Sequence, residues 1–134
     1  MTIDYTNTGD VLSQIRARRS NQCATPTRFS LGKIAATPAV LELLERKGYS
    51  ASALLARHSA CDFGDLDPHD HKQNEDAIAN GGRIFSVYRL CDAAWLKQIP
   101  RSQRHKIDTV WIVTNGTNDA GVRDATVVMT PACY

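Results

Sequence analysis

His58 is the residue of this chain best suited to proton chemistry, because an imidazole changes charge within the working pH range. It stands in a dense polar stretch, Arg57-His58-Ser59-Ala60-Cys61-Asp62-Phe63-Gly64-Asp65-Leu66-Asp67-Pro68, where Asp62 and Asp65 are near enough to orient it. Farther along, Ser86, Tyr88, Thr114, Arg123, Thr126 and Tyr134 are hydroxyl and guanidinium groups on or beside the extended segments. The chemistry this set would serve is metal-independent cleavage of RNA or another nucleotide, with His58 as base and Arg123, Thr126 and Tyr134 steadying charge on phosphate. Each residue also has a plain structural role. A histidine beside Leu54 and Leu55 on a helix is most often a hydrogen-bonded core residue, aspartates in turns bond their own downstream amides, and hydroxyl residues form strands well.

A second chemistry is binding. The net charge is only +2, which argues against both a heavily acidic DNA mimic and a strongly basic duplex binder. Local basic clusters remain at Arg16, Arg18 and Arg19, and at Lys97, Arg101, Arg104, His105 and Lys106. The second cluster lies beside Trp95, and tryptophan and arginine are the residue types that concentrate binding energy. An acidic helix ahead of it carries Asp70 and Glu75. The expected contact surface therefore combines Trp95, Lys97, Arg101, Arg104 and Lys106 with Asp70 and Glu75, and its basic loop is suited to phosphate-backbone contact.

Metal and cofactor chemistry are not expected. His69 and His71 are two apart, so on a helix they point nearly opposite ways. The four cysteines, Cys23, Cys61, Cys91 and Cys133, form no C-x-x-C pair, and reduced thiols are expected. No G-x-S-x-G elbow, P-loop, dinucleotide fingerprint or H-E-x-x-H occurs.

The elements that must position these residues follow from periodicity. Thr37-Pro38 is a helix start, Val40, Leu41 and Leu44 make an apolar face, and Gly48 ends the helix. Ser50 begins a second helix through about His58. Asp67-Pro68 begins a third, ending near Ala79, with little that is apolar beyond Ala77 and Ile78, so it is expected to be a thinly buried partner surface or a solvated lid. Asp10–Arg19 reads as a short amphipathic helix. After Gly82 the period changes, and Arg83–Leu90, Ile107–Thr114 and Ala125–Met129 read as strands, the middle one central because both its faces are apolar. The connector Cys91–Lys106 is long for a hairpin, with Asp92 capping a helical turn before Pro100. The expected architecture is α+β, with short N-terminal helices packed on a three- to four-stranded antiparallel sheet formed by the C-terminal half. It makes one domain over residues 1–134, with 1–30 as a loosely packed N-terminal arm. No apolar run is long enough to span a bilayer and no leader is evident, so a cytoplasmic location and no membrane partner are expected.

Several segments occur together and in order: Leu31-Gly32-Lys33-Ile34-Ala35-Ala36-Thr37-Pro38, Leu55-Ala56-Arg57-His58, Asp62-Phe63-Gly64-Asp65, Arg83-Ile84-Phe85-Ser86-Val87-Tyr88-Arg89-Leu90, Val110-Trp111-Ile112-Val113-Thr114 and Thr126-Val127-Val128-Met129-Thr130-Pro131-Ala132-Cys133-Tyr134. Over roughly residues 29 to 134 the chain resembles a family of small proteins carried by bacterial plasmids and other mobile elements. It departs from that pattern at Phe63, where tryptophan is usual, in the long Cys91–Lys106 connector, and around Asp119 and Arg123. The resemblance implies an anti-defence role of anti-CRISPR or anti-restriction type, in which a non-enzymatic inhibitor binds a bacterial defence protein or ribonucleoprotein complex. The order of helices and strands is also similar to the barnase/EndoU/colicin/RelE-like ribonuclease fold, which implies the alternative activity through His58.

Overall fold

The computed structural model describes residues 3–4 and 28–133. The helix expected at Asp10–Arg19, most of the 1–30 arm, and Tyr134 lie outside the described residues. The elements run β1 (Ile3–Asp4), β2 (Lys33–Ala36), α1 (Pro38–Lys47), α2 (Ala51–Ser59), α3 (Pro68–Asn80), β3 (Ile84–Arg89), α4 (Ala93–Lys97), a 3-10 turn (Arg101–Lys106), β4 (Thr109–Thr114), β5 (Ala125–Met129) and a closing 3-10 turn (Pro131–Cys133).

The helices start where short polar side chains can hold free first-turn amides. Thr37 accepts from the Val40 amide, Ser50 from Ala53, and Asp67 from Asp70, while Pro38 and Pro68 fill first-turn positions that have no amide bond to lose. Gly48 and Gly81 end α1 and α3 in the left-handed conformation.

The class is α+β, and the five strands lie in the order β1-β2-β5-β4-β3, with β4 interior. One expectation is corrected. The sheet is mixed: β4 pairs antiparallel with β3 and β5, but β2 joins β5 in parallel, Ile34 beside Thr126 and Ala36 beside Val128. The N-terminal half therefore supplies sheet as well as helix. β2 is only four residues long and half alanine, a poor strand signal that pairing with a formed edge overrides.

One sheet face carries Ile34, Ala36, Ile84, Tyr88, Val110, Ile112 and Val128, all buried against Val40, Leu43 and Leu44 of α1 and Leu54 and Leu55 of α2. Helix α3 is thinly buried, as expected, with Asn74 its one buried residue, but it is tied to the sheet. Its Asn74, 4% exposed, accepts from the Phe85 amide at 3.1 Å and donates to the Phe85 carbonyl at 2.6 Å. Beside it, Val87 donates to the Phe63 carbonyl and accepts from Asp65. Gly64, with φ 75, lets these two backbones meet, because a Cβ there would run into the Val87 carbonyl. The outer edge of β3 is thus closed to strand addition by another chain. Asn74→Ala unpairs both Phe85 groups and is expected to lower stability by about 2 kcal/mol, read from urea denaturation, and to promote aggregation on light scattering. A variant as stable and monodisperse as the parent would show that the clamp is dispensable.

Candidate functional site

Two arrangements gather the polar residues that the sequence singles out. The first is a buried chain centred on His58. Helix α2 places its ring against the sheet, where Nδ1 lies 2.5 Å from Ser86 Oγ and Nε2 lies 2.8 Å from Thr114 Oγ1. Thr114 Oγ1 is 2.7 Å from Thr126 Oγ1, which donates to the Leu31 carbonyl at 2.7 Å. β3, β4 and β5 put these hydroxyls side by side because Thr114 pairs with both Ile84 and Thr126 across the ladder.

The proton count fixes the tautomer. Thr126 gives its one hydroxyl proton to Leu31, so Thr114 must donate to Thr126. Thr114 is then an acceptor toward the ring, which carries its proton on Nε2 and receives the Ser86 proton at Nδ1. His58 is neutral, and burial lowers its pKa to about 3. Ser86 beside Nδ1 has the shape of a nucleophile and its base. A base this weak does not take a serine proton at neutral pH, and His58, Ser86, Thr114 and Thr126 all have zero exposure. Phe29 closes the ring off edge-on at 5.1 Å, on a segment tied down by the Arg28 amide to the Ser59 carbonyl. Within the fold described, this chain is a satisfied polar core.

The other residues expected to serve His58 are placed elsewhere. Asp62 and Asp65 do not orient it: Asp62 pairs with Arg57 at 2.7 Å, and Asp65 faces arginines from the far side of β3. Arg123, 6% exposed, donates to three backbone carbonyls, those of Ala77, Gly82 and Asn115, and so fastens the end of α3 to the β4–β5 turn. Its guanidinium lies over the Phe29 ring at 5.8 Å, and desolvation lowers its pKa. His69 meets Gln73 while His71 packs edge-on against Phe63 at 5.2 Å. Among the described residues no group of three His, Cys, Asp or Glu side chains is placed to hold a metal ion.

The second arrangement is the excursion between β3 and β4. Leu90 donates to the Asp108 carbonyl at 2.8 Å and closes its base. Asp92 accepts from the Trp95 amide and starts α4, and Pro100 ends that turn and opens the Arg101–Lys106 turn. The anchor is Asp65, whose carboxylate is 5% exposed. Arg104 Nη1 reaches it at 2.6 Å and Arg89 Nε at 3.0 Å, while Arg104 Nε also donates to the Ile99 carbonyl. Arg101 touches the same carboxylate at 3.5 Å from a half-exposed position.

So held, the excursion presents Trp95 with 47% of its surface exposed. Trp95 forms one wall of a cleft of about 500 Å³ with Leu90, Ile99, Ile107, Gln103 and Lys106. Lys97, Arg101 and Lys106 are exposed beside it, whereas Arg104 is turned inward and positions the loop. The acidic helix does not line this cleft. Asp70 lines another, with Phe85 and Trp111, and Glu75 faces Arg28 at 3.6 Å. Sequence reasoning missed both clamps, Asn74 on β3 and Asp65 on the excursion. Neither has a local signal: Asn74 stands among polar residues inside α3, and Asp65 precedes the polar first turn of that helix. Among the described residues no helix is long and apolar enough to cross a membrane.

Searches against protein-family models, curated proteins and solved structures find no match to this chain.

Proposed function

We propose that this chain is a non-enzymatic binding protein that docks on a bacterial host-defence complex through the Cys91–Asp108 excursion and inhibits it by occlusion, in the manner of an anti-CRISPR or anti-restriction protein. The observation that carries the binding reading is a large aromatic side chain left about half exposed on a loop that a buried carboxylate holds in place. A loop already ordered before contact loses little conformational freedom on binding, which favours affinity. The polar residues that would argue for catalysis are engaged with one another in the core. The choice of a defence complex, protein or ribonucleoprotein, rests only on the resemblance that the segments quoted from the sequence bear to mobile-element proteins.

The test is capture of partners from a host lysate by the full chain, with Trp95→Ala and Arg101→Glu as comparisons. Each substitution is expected to weaken the interaction about 30-fold, the equivalent of about 2 kcal/mol for a central anchor. Equal recovery by parent and both variants would remove this surface. Growth arrest on induction, together with RNA cleavage that His58→Ala abolishes, would replace the binding reading with the ribonuclease.

A further inference from the structure

We infer that the cleft beside Trp95 takes an acidic polypeptide segment that inserts one apolar side chain between Trp95 and Ile99. This deepens the binding reading above and rests on it.

Charge supplies the first argument. From Ala93 to Ile107 the chain carries Lys97, Arg101, Arg104, His105 and Lys106 and no carboxylate. The acids at its margins are engaged: Asp92 caps α4, Asp108 holds Lys47 at 3.0 Å, and Asp65 holds Arg104 and Arg89. Among the described residues Lys97 and Lys106 have no carboxylate partner. The rim is therefore cationic, and a segment bearing Asp or Glu gains on approach without displacing an internal pair.

The floor supplies the second. Leu90, Ile99 and Ile107 line the cleft of about 500 Å³ with Trp95 and give it an apolar floor, while Lys47, Gln103, Lys106 and Asp108 stand at its sides, Asp108 paired with Lys47. An apolar floor inside a cationic rim matches the core-and-rim pattern of a protein contact. A nucleic acid would need a track of phosphate contacts and several stacking aromatics, and this excursion has one aromatic residue. Recognition by strand addition is excluded at β3, whose outer edge Asn74 and Asp65 already occupy. What enters is therefore a side chain with its acidic flanks.

The experiment selects random 12-residue peptides from a display library on the immobilised full chain, with Trp95→Ala as counter-target, and measures the enriched peptides by fluorescence anisotropy. The expected pool is net negative and carries one large aliphatic or aromatic residue between acids. Lys97→Glu with Lys106→Glu should weaken such a peptide about tenfold, as should replacing its apolar residue by serine. A single-stranded 20-nucleotide oligonucleotide is titrated in parallel. Enrichment of neutral or basic peptides, or equal binding to Trp95→Ala, overturns the inference, as does tighter binding of the oligonucleotide than of any peptide. The two readings fail separately. If lysate partners depend on Trp95 but the selected peptides are not acidic, the surface stands and this chemistry falls. If lysate partners ignore Trp95, the surface itself falls.

Discussion

Replacing His58 by alanine is expected to destabilise the protein by about 4 kcal/mol, read as a lower urea midpoint with an unchanged slope. Two effects add. The ring is fully buried between Phe29 and the sheet, so its loss leaves a cavity. Its removal also strips the Ser86 proton of its acceptor and Thr114 of its donor, and each buried polar group left unmade costs about 1–3 kcal/mol. His58→Gln keeps one partner in reach and should cost less. A His58→Ala protein within about 1 kcal/mol of the parent would mean that water already reaches the ring, and the polar core would then be an open site.

The same ring sets an acid dependence. Its pKa falls from 6.5 in the unfolded chain to about 3 in the fold because burial disfavours the imidazolium. Between those values the unfolded state binds a proton that the folded state does not, so stability falls as pH drops from 6.5 toward 3, and His58 contributes no slope above that window. The steepest loss is about 1.4 kcal/mol per pH unit. His58→Gln lacks this term, so the stability gap between parent and variant should narrow by about 2–3 kcal/mol from pH 7 to pH 4.5. Denaturation at several pH values measures it. A gap that stays constant would place the folded pKa near its ordinary value and contradict a dry ring.

Asp65→Ala is the second large effect, expected at about 2–3 kcal/mol. Removing one partner of a buried ion pair strands the other charge, and here two guanidiniums, those of Arg89 and Arg104, lose one carboxylate. The figure stays below that of a wholly buried pair because both arginine side chains keep 15% exposure and other acceptors, Thr109 for Arg89 and the Ile99 carbonyl for Arg104. Asp62→Ala is the comparison. Its pair with Arg57 lies about half exposed, and the cost should stay under about 1 kcal/mol. Asp65→Ala should also speed amide exchange across residues 91–108 and weaken the partner binding proposed above about tenfold, although Asp65 lines no part of the Trp95 cleft. Unchanged exchange there would show that the excursion holds its shape without the anchor.

Much of this molecule could be read from residues alone, for local reasons. Thr37-Pro38, Ser50 and Asp67-Pro68 announce helices because a capping oxygen and a proline act within one turn of chain. Ala125–Met129 has the same bounds in the sequence reading and in the fold, and the doubly apolar Thr109–Thr114 strand lies in the sheet interior. The capped turn after Asp92 and the exposed Trp95 were also legible, since a long, polar connector between two strands has few ways to be buried. Lys33–Ala36 was not legible as a strand, because alanine carries almost no strand preference and its partner, β5, lies about ninety residues away.

The amino-acid order determined which residues were His, Ser, Thr and Arg, and that the hydroxyls of Ser86, Thr114 and Thr126 would fall within the largely apolar strands β3, β4 and β5. Only the packed structure decided that Ser86, Thr114 and Thr126 would converge on one imidazole and saturate it, that Asp65 would turn away from His58 toward Arg89 and Arg104, and that Arg123 would hold backbone carbonyls in place of a ligand. A side chain's type fixes what it can donate or accept. Which partner it meets, and whether water meets it first, depends on contacts between segments tens of residues apart, and those exist only once the sheet has closed.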